Sequence, residues 1–149
     1  MRTNMPKEGD KSVKNKSAEV LKKYKTLDST IEEVQEVFGD QMKLTVSTYA
    51  GSLSFNPPFD DKEIGEINIS SKDVEKVLNK FINGEIEPVE LLVWAFVVEG
   101  FQGVYTYASG ESTSKREVTR EIISKLDEID KSFDKTKASK YLEMIQKAG

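Results

Sequence analysis

The stretch Glu87-Pro88-Val89-Glu90-Leu91-Leu92-Val93-Trp94-Ala95-Phe96-Val97-Val98-Glu99-Gly100 decides the fold. Proline is tolerated at the first position of a helix, Glu87 and Glu90 complement the positive end of its dipole, and Gly100 is a natural stop. The core of the segment, Leu91 to Val98, is apolar on every side, so a helix here must be central or must cover a partner. A buried strand is the rival reading of the same eight residues, which periodicity does not separate, and the proline start and glycine stop favour the helix. The run is far short of the ~20 residues needed to cross a bilayer, so no membrane span is expected. Trp94 in its middle reads as a core anchor, with an interface hot spot as the alternative.

Upstream, Ser70-Ser71 and Asp73 open a helix whose apolar stripe is Val74, Val77, Leu78, Phe81 and Ile82, ended by Asn83-Gly84. Before it the pattern changes period. Met42, Leu44 and Val46 alternate with Lys43, Thr45 and Ser47, as in a half-buried strand. Ala50-Gly51 reads as a turn, Leu53 and Phe55 as a second strand stopped by Pro57-Pro58, and Glu66 to Ile69 as a third strand of the same antiparallel sheet. Ser29-Thr30 caps a short helix carrying Val34, Val37 and Phe38, which ends at Gly39. Ala18, Val20, Leu21 and Tyr24 form a marginal helix among Lys22, Lys23 and Lys25.

Downstream, Phe101 to Tyr107 reads as extended and Ala108 to Ser114 as a loop. Val118, Ile122, Leu126, Ile129 and Phe133 recur at helical steps, and a last helix after Asp134 aligns Ala138, Tyr141, Leu142 and Ile145. The fold class expected is α+β, mainly helical, with a small antiparallel β-sheet of two or three strands in the N-terminal half. Residues 1–16 are expected to be a disordered basic arm and 17–149 a single α+β domain.

The chain of 149 residues contains no histidine and no cysteine, which excludes disulfides, thiolate nucleophiles, Ser-His-Asp triads and the usual zinc sites. No glycine-rich phosphate cradle is present, since Gly100-Phe101-Gln102-Gly103 matches neither the P-loop nor the dinucleotide fingerprint. A non-enzymatic protein without metal or cofactor is therefore expected. The N-terminal residues are polar and charged with no apolar run behind them, so the expected location is the cytosol.

The net charge of -4 is unevenly spread. Residues 1–25 carry eight Lys/Arg against three Asp/Glu, residues 26–114 five against sixteen, and residues 115–149 nine against seven. The acidic middle would attract a basic partner, with Asp60, Asp61, Glu63 and Glu66 as partner-binding acids and Tyr105 and Tyr107 as aromatic anchors. The same acids are too irregular for a calcium loop. The alternative is a nucleic-acid-associated regulatory protein whose arm, Lys7, Lys11, Lys14, Lys16, Lys22, Lys23 and Lys25, reaches phosphate.

The segment Val77-Leu78-Asn79-Lys80-Phe81-Ile82-Asn83-Gly84-Glu85-Ile86, with Glu90-Leu91, Trp94-Ala95 and Glu99, resembles a helix, Gly-x-Ile turn, helix pattern of small, mostly uncharacterised bacterial proteins. Some of these are immunity-type partners of toxins. The closing apolar stripes are similar to the last two helices of such proteins, and the resemblance covers about residues 74–145. It implies a bacterial, cytosolic, non-enzymatic protein with a basic, toxin-like protein partner, and carries no catalytic residues.

Overall fold

A helix that is apolar all round must be enclosed by other elements, and the computed structural model shows how this one is. It describes residues 16–47, 50–56, 58, 60–101, 103–107 and 110–148. Helix α1 spans residues 16–24, α2 Ile31–Phe38, α3 Asp61–Ile64, α4 Ser71–Ile82, α5 Pro88–Gly100, α6 Thr113–Leu126 and α7 Lys135–Lys147. The strands are β1 Met42–Ser47, β2 Ala50–Phe55, β3 Ile67–Ile69 and β4 Tyr105–Tyr107. The fold is α+β. Leu91, Leu92, Trp94, Ala95 and Val97 of α5 are fully buried, and α5 packs against α4, α6 and β2 while α7 closes over α4 and α6.

Helix starts follow local capping chemistry. Thr30 with Glu33, Ser70 with Asp73 and Glu87 with Glu90 each form a capping box, which satisfies orphan backbone donors of the first turn. Ser112 and Asp134 cap α6 and α7 by accepting from the N–H groups of Lys115 and Lys137. Gly39, at φ +59°, ends α2 in a conformation that a side chain would strain.

β1 and β2 pair antiparallel from Met42↔Phe55 to Ser47↔Ala50, so the strand begins at Ala50 and Gly51 lies inside it opposite Val46. Ala50 and Gly51 therefore belong to β2 and are not the turn expected there. The third strand does not join this hairpin. β3 pairs in parallel with β4, Ile67↔Tyr105 to Ile69↔Tyr107, as a separate two-stranded sheet. A parallel pair needs a long connection, and α4 and α5 supply it.

One other expectation is corrected. The helix of the last third stops at Leu126, and the buried Ile129 and Phe133 lie in the connection that follows. Phe133 nevertheless belongs to the core, its ring centroid 5.3 Å from Phe81 and 5.7 Å from Tyr141. At the other end, Lys16 is helical, and the rest of the stretch expected to be an arm, residues 1–15, lies outside the described residues. α1 is firmly anchored, with Val20, Leu21 and Tyr24 buried and Lys22 and Lys23 on the exposed side.

Candidate functional site

Where the chain leaves α1 and turns toward α2, it forms one wall of an apolar recess of about 300 Å³. Tyr24, Leu27 and Ile31 line this side, and Ile86 just before α5 with Val89 and Val93 of α5 lines the other. The turn is held in an uncommon conformation. Leu27 has φ +57°, its N–H donates to the Tyr24 carbonyl at 2.9 Å, and its own carbonyl accepts from Lys80 Nζ at 2.9 Å. A branched residue in the left-handed region is strained and persists only where its surroundings over-determine it. Lys80 supplies that constraint, since it also pairs with Asp28 at 3.1 Å. Hydrogen bonds from Thr26, then from Lys80, hold the Asp28 carboxyl below the usual carboxylate range.

The lining of the recess contains two carboxylates, Glu32 and Glu90, and no cation among the described residues. Their field reaches the floor. Burial pushes the Tyr24 hydroxyl well above the usual phenol range, and Glu32 and then Glu90 push it further in the same direction. Glu90 is also fixed in place, because one of its oxygens accepts the Glu87 N–H at 3.0 Å in the capping box. Apolar walls with two carboxylates at the rim suit a cation on an apolar stem, such as the side chain of lysine or arginine.

A second concave region runs along β4 and α6. Glu99 of α5 accepts a hydrogen bond from Ser124 Oγ at 3.2 Å, and Arg120 lies over the Tyr107 ring with its guanidinium carbon 5.1 Å from the centroid. Burial pushes the Glu99 carboxyl up to about 7, followed by hydrogen bonding with Asp127 and the charges of Asp127 and Glu128, against the lowering effect of Ser124. Burial also raises the Tyr107 hydroxyl, with Arg120 opposing and Glu99 adding to it.

The residues expected from sequence are placed as follows. Asp60, Glu63 and Glu66 are exposed around α3, and Asp60 Oδ1 accepts the Lys62 N–H at 3.0 Å. Asp61 opens that helix, and its side chain lies outside the described residues. Tyr105 is not an exposed anchor. It is buried, its hydroxyl donates to the Leu21 carbonyl, and its ring meets Phe101 edge-on at 6.3 Å. Tyr107 is half-buried under Arg120.

Of the lysines in the alternative reading, Lys7, Lys11 and Lys14 lie outside the described residues. Lys16 and Lys22 are exposed, Lys23 pairs with Glu19 at 3.6 Å, and Lys25 is half-buried. Its Nζ donates to the Asn68 carbonyl at 3.0 Å and pairs with Asp73 at 3.2 Å, so this lysine holds α1 to β3 and α4.

Sequence reasoning missed Glu32 and Glu90 as a pair, because each also reads as an ordinary first-turn acid. It missed Arg116 and Arg120 too, although two arginines four apart on a helix share a face. With known proteins, the chain matches no family model, no curated protein and no solved structure.

Proposed function

We propose that this chain is a non-enzymatic protein-binding module, of the immunity or antitoxin kind, that holds a basic partner through acidic groups. The observation that carries the reading is the recess of about 300 Å³ with Glu32 and Glu90 as its charged groups. The occupant it fits is a segment of another protein in which a lysine or arginine stands beside an apolar side chain. The apolar part fills the space between Ile31 and Val89, and the cation meets the two carboxylates. The exposed Asp60, Glu63 and Glu66 and the acidic excess of residues 26–114 would speed the encounter and favour basic partners over acidic ones.

Selection of a displayed random-peptide library on the immobilised protein tests this. Peptides that pair Lys or Arg with a large apolar residue are expected to enrich, and to weaken as salt rises. The Glu32→Gln/Glu90→Gln double variant is expected to bind them severalfold more weakly, since both exposed carboxylates that face the cation are lost. Glutamine keeps the capping box of α5, so the helix start survives the change. Enrichment of acidic peptides, or binding indifferent to both substitutions, would refute the reading.

A further inference from the structure

Among the described residues one buried side-chain nitrogen lacks a hydrogen-bond partner, the Nε of Arg116. The other end of the same guanidinium donates to Thr113 Oγ1, at 3.3 Å. One turn further along α6, Arg120 projects from the same face, as residues four apart on a helix must. Both arginines line a recess of about 470 Å³ with Thr106, Tyr107 and Thr113, and it adjoins one of about 290 Å³ bounded by Arg120, Tyr107 and Glu99.

No ion pair among the described residues engages either arginine, whereas Lys23, Lys25, Lys80, Lys125 and Lys147 each have a carboxylate partner. Two like charges at this spacing oppose helix formation, and an anion between the two forks would relieve that repulsion.

We propose that this recess binds a tetrahedral oxyanion, either inorganic phosphate or the phosphate of a small monoester. The guanidinium groups present planar, permanently charged forks, which match phosphate oxygens two at a time. The hydroxyls of Thr106, Thr113 and Tyr107 are donors in the same lining. Thr106 has its proton committed to Asn68 Oδ1 at 2.8 Å, so Thr113 and Tyr107 are the hydroxyls placed to contribute. Glu117 also lines the recess and is exposed, as Arg120 is, so two arginines stand against one carboxylate there. Glu99 holds its proton well above the ordinary carboxyl range, which limits the negative charge on the adjoining floor. The space exceeds what a bare tetrahedral ion fills, so the ester end of a larger ligand has room.

The experiment is a titration of the full chain with inorganic phosphate and, separately, with phenyl phosphate, in chloride buffer at fixed ionic strength, followed by amide resonances. Saturable shifts at Thr106, Tyr107 and the first two turns of α6 support the site. Tighter binding of phenyl phosphate assigns it to a monoester, and equal binding to the free ion. The Arg116→Gln/Arg120→Gln double variant is expected to lose affinity about tenfold or more, given two charge-assisted contacts. Should that variant lose the native spectrum, Arg116→Lys and Arg120→Lys keep the charge without the fork, and each is expected to weaken binding severalfold. Shifts that do not saturate, that fall on the exposed lysines, or that persist unchanged in the arginine variants overturn the proposal.

Discussion

The indole Nε1 of Trp94 donates to the backbone carbonyl of Lys25 at 3.2 Å, joining the middle of the central helix to the turn that follows α1. Trp94 is fully buried and the bond is partly so, which gives the indole N–H its partner inside the fold. The side chain of the same Lys25 reaches Asn68 and Asp73, so one residue ties α1 to α5 through its backbone and to β3 and α4 through its ammonium.

Replacing Trp94 by phenylalanine leaves that carbonyl without its donor and opens a space where the second ring stood. The cost expected is about 2–4 kcal/mol, combining a lost, partly buried hydrogen bond with a partly filled cavity. Denaturant unfolding measures it. A change under about 0.5 kcal/mol, the scale of an ordinary surface substitution, would show that the bond contributes nothing.

Gly51 and Gly100 both face close neighbours, but the neighbours differ in kind. A Cβ at Gly51 would lie 2.3 Å from the Thr45 backbone oxygen and 3.1 Å from the Phe96 ring, and backbone in a paired strand cannot move away. A Cβ at Gly100 would meet the Leu53 Cδ2 methyl at 2.4 Å, the end of a side chain that can change rotamer. Gly51→Ala is therefore expected to destabilise the protein by about 1–3 kcal/mol, and Gly100→Ala by less. Thermal unfolding of the two variants side by side gives the order, and the reverse order contradicts the assignment.

Local chemistry made most of the fold readable in advance. Thr30, Ser70, Glu87 and Asp134 each announce a helix start through a bond made within the next three residues, and alternation at Met42 to Val46 needs only a half-buried face. What was misread depends on partners distant in the chain. β3 is three residues long and finds its mate across two helices, so nothing local separates parallel pairing with β4 from an extension of the hairpin. α1 looked marginal because its lysines dilute the pattern, yet Leu21, Val20 and Tyr24 are buried in a core that only the folded chain brings together. The sites suffer most from this. Glu32 and Glu90 stand in separate helices, and only the turn at Leu27, bent by the distant Lys80, sets them around one opening.

Glu111 lies in a stretch that reads as an ordinary loop, but its carboxylate accepts from both the N–H of Ser71, at 2.9 Å, and the Ser71 hydroxyl. It thereby places a negative charge on the first turn of α4, beside the capping box of Ser70 and Asp73. Charge at a helix N-terminus and the bond to an orphan donor each favour this contact. Glu111→Ala is expected to cost about 1–2 kcal/mol, and Glu111→Gln less because an acceptor remains. Equal stability of wild type and the alanine variant in denaturant would contradict the contact.

The Glu99 carboxyl titrates near 7 in the fold because burial, Asp127 and Glu128 all disfavour its charge. The groups around it are Ser124 and Arg120 on α6, Tyr107 on β4, and Asp127 and Glu128 just after α6. Its ordinary value is 4.5, so between 4.5 and about 7 the folded state binds more protons than the unfolded one. Stability contributed by this group is thus fully present below 4.5 and declines as pH rises toward 7, after which it changes no further. Glu99→Gln keeps the shape and removes the titration. The variant is expected to lose the downward slope in that window and to be more stable than wild type above pH 7, where the wild type holds a charged Glu99 against Asp127. Asp127→Asn should move the wild-type slope to lower pH by removing the group that contributes most after burial. Unfolding midpoints across the pH series decide it, and identical slopes in wild type and Glu99→Gln would place the titrating group elsewhere.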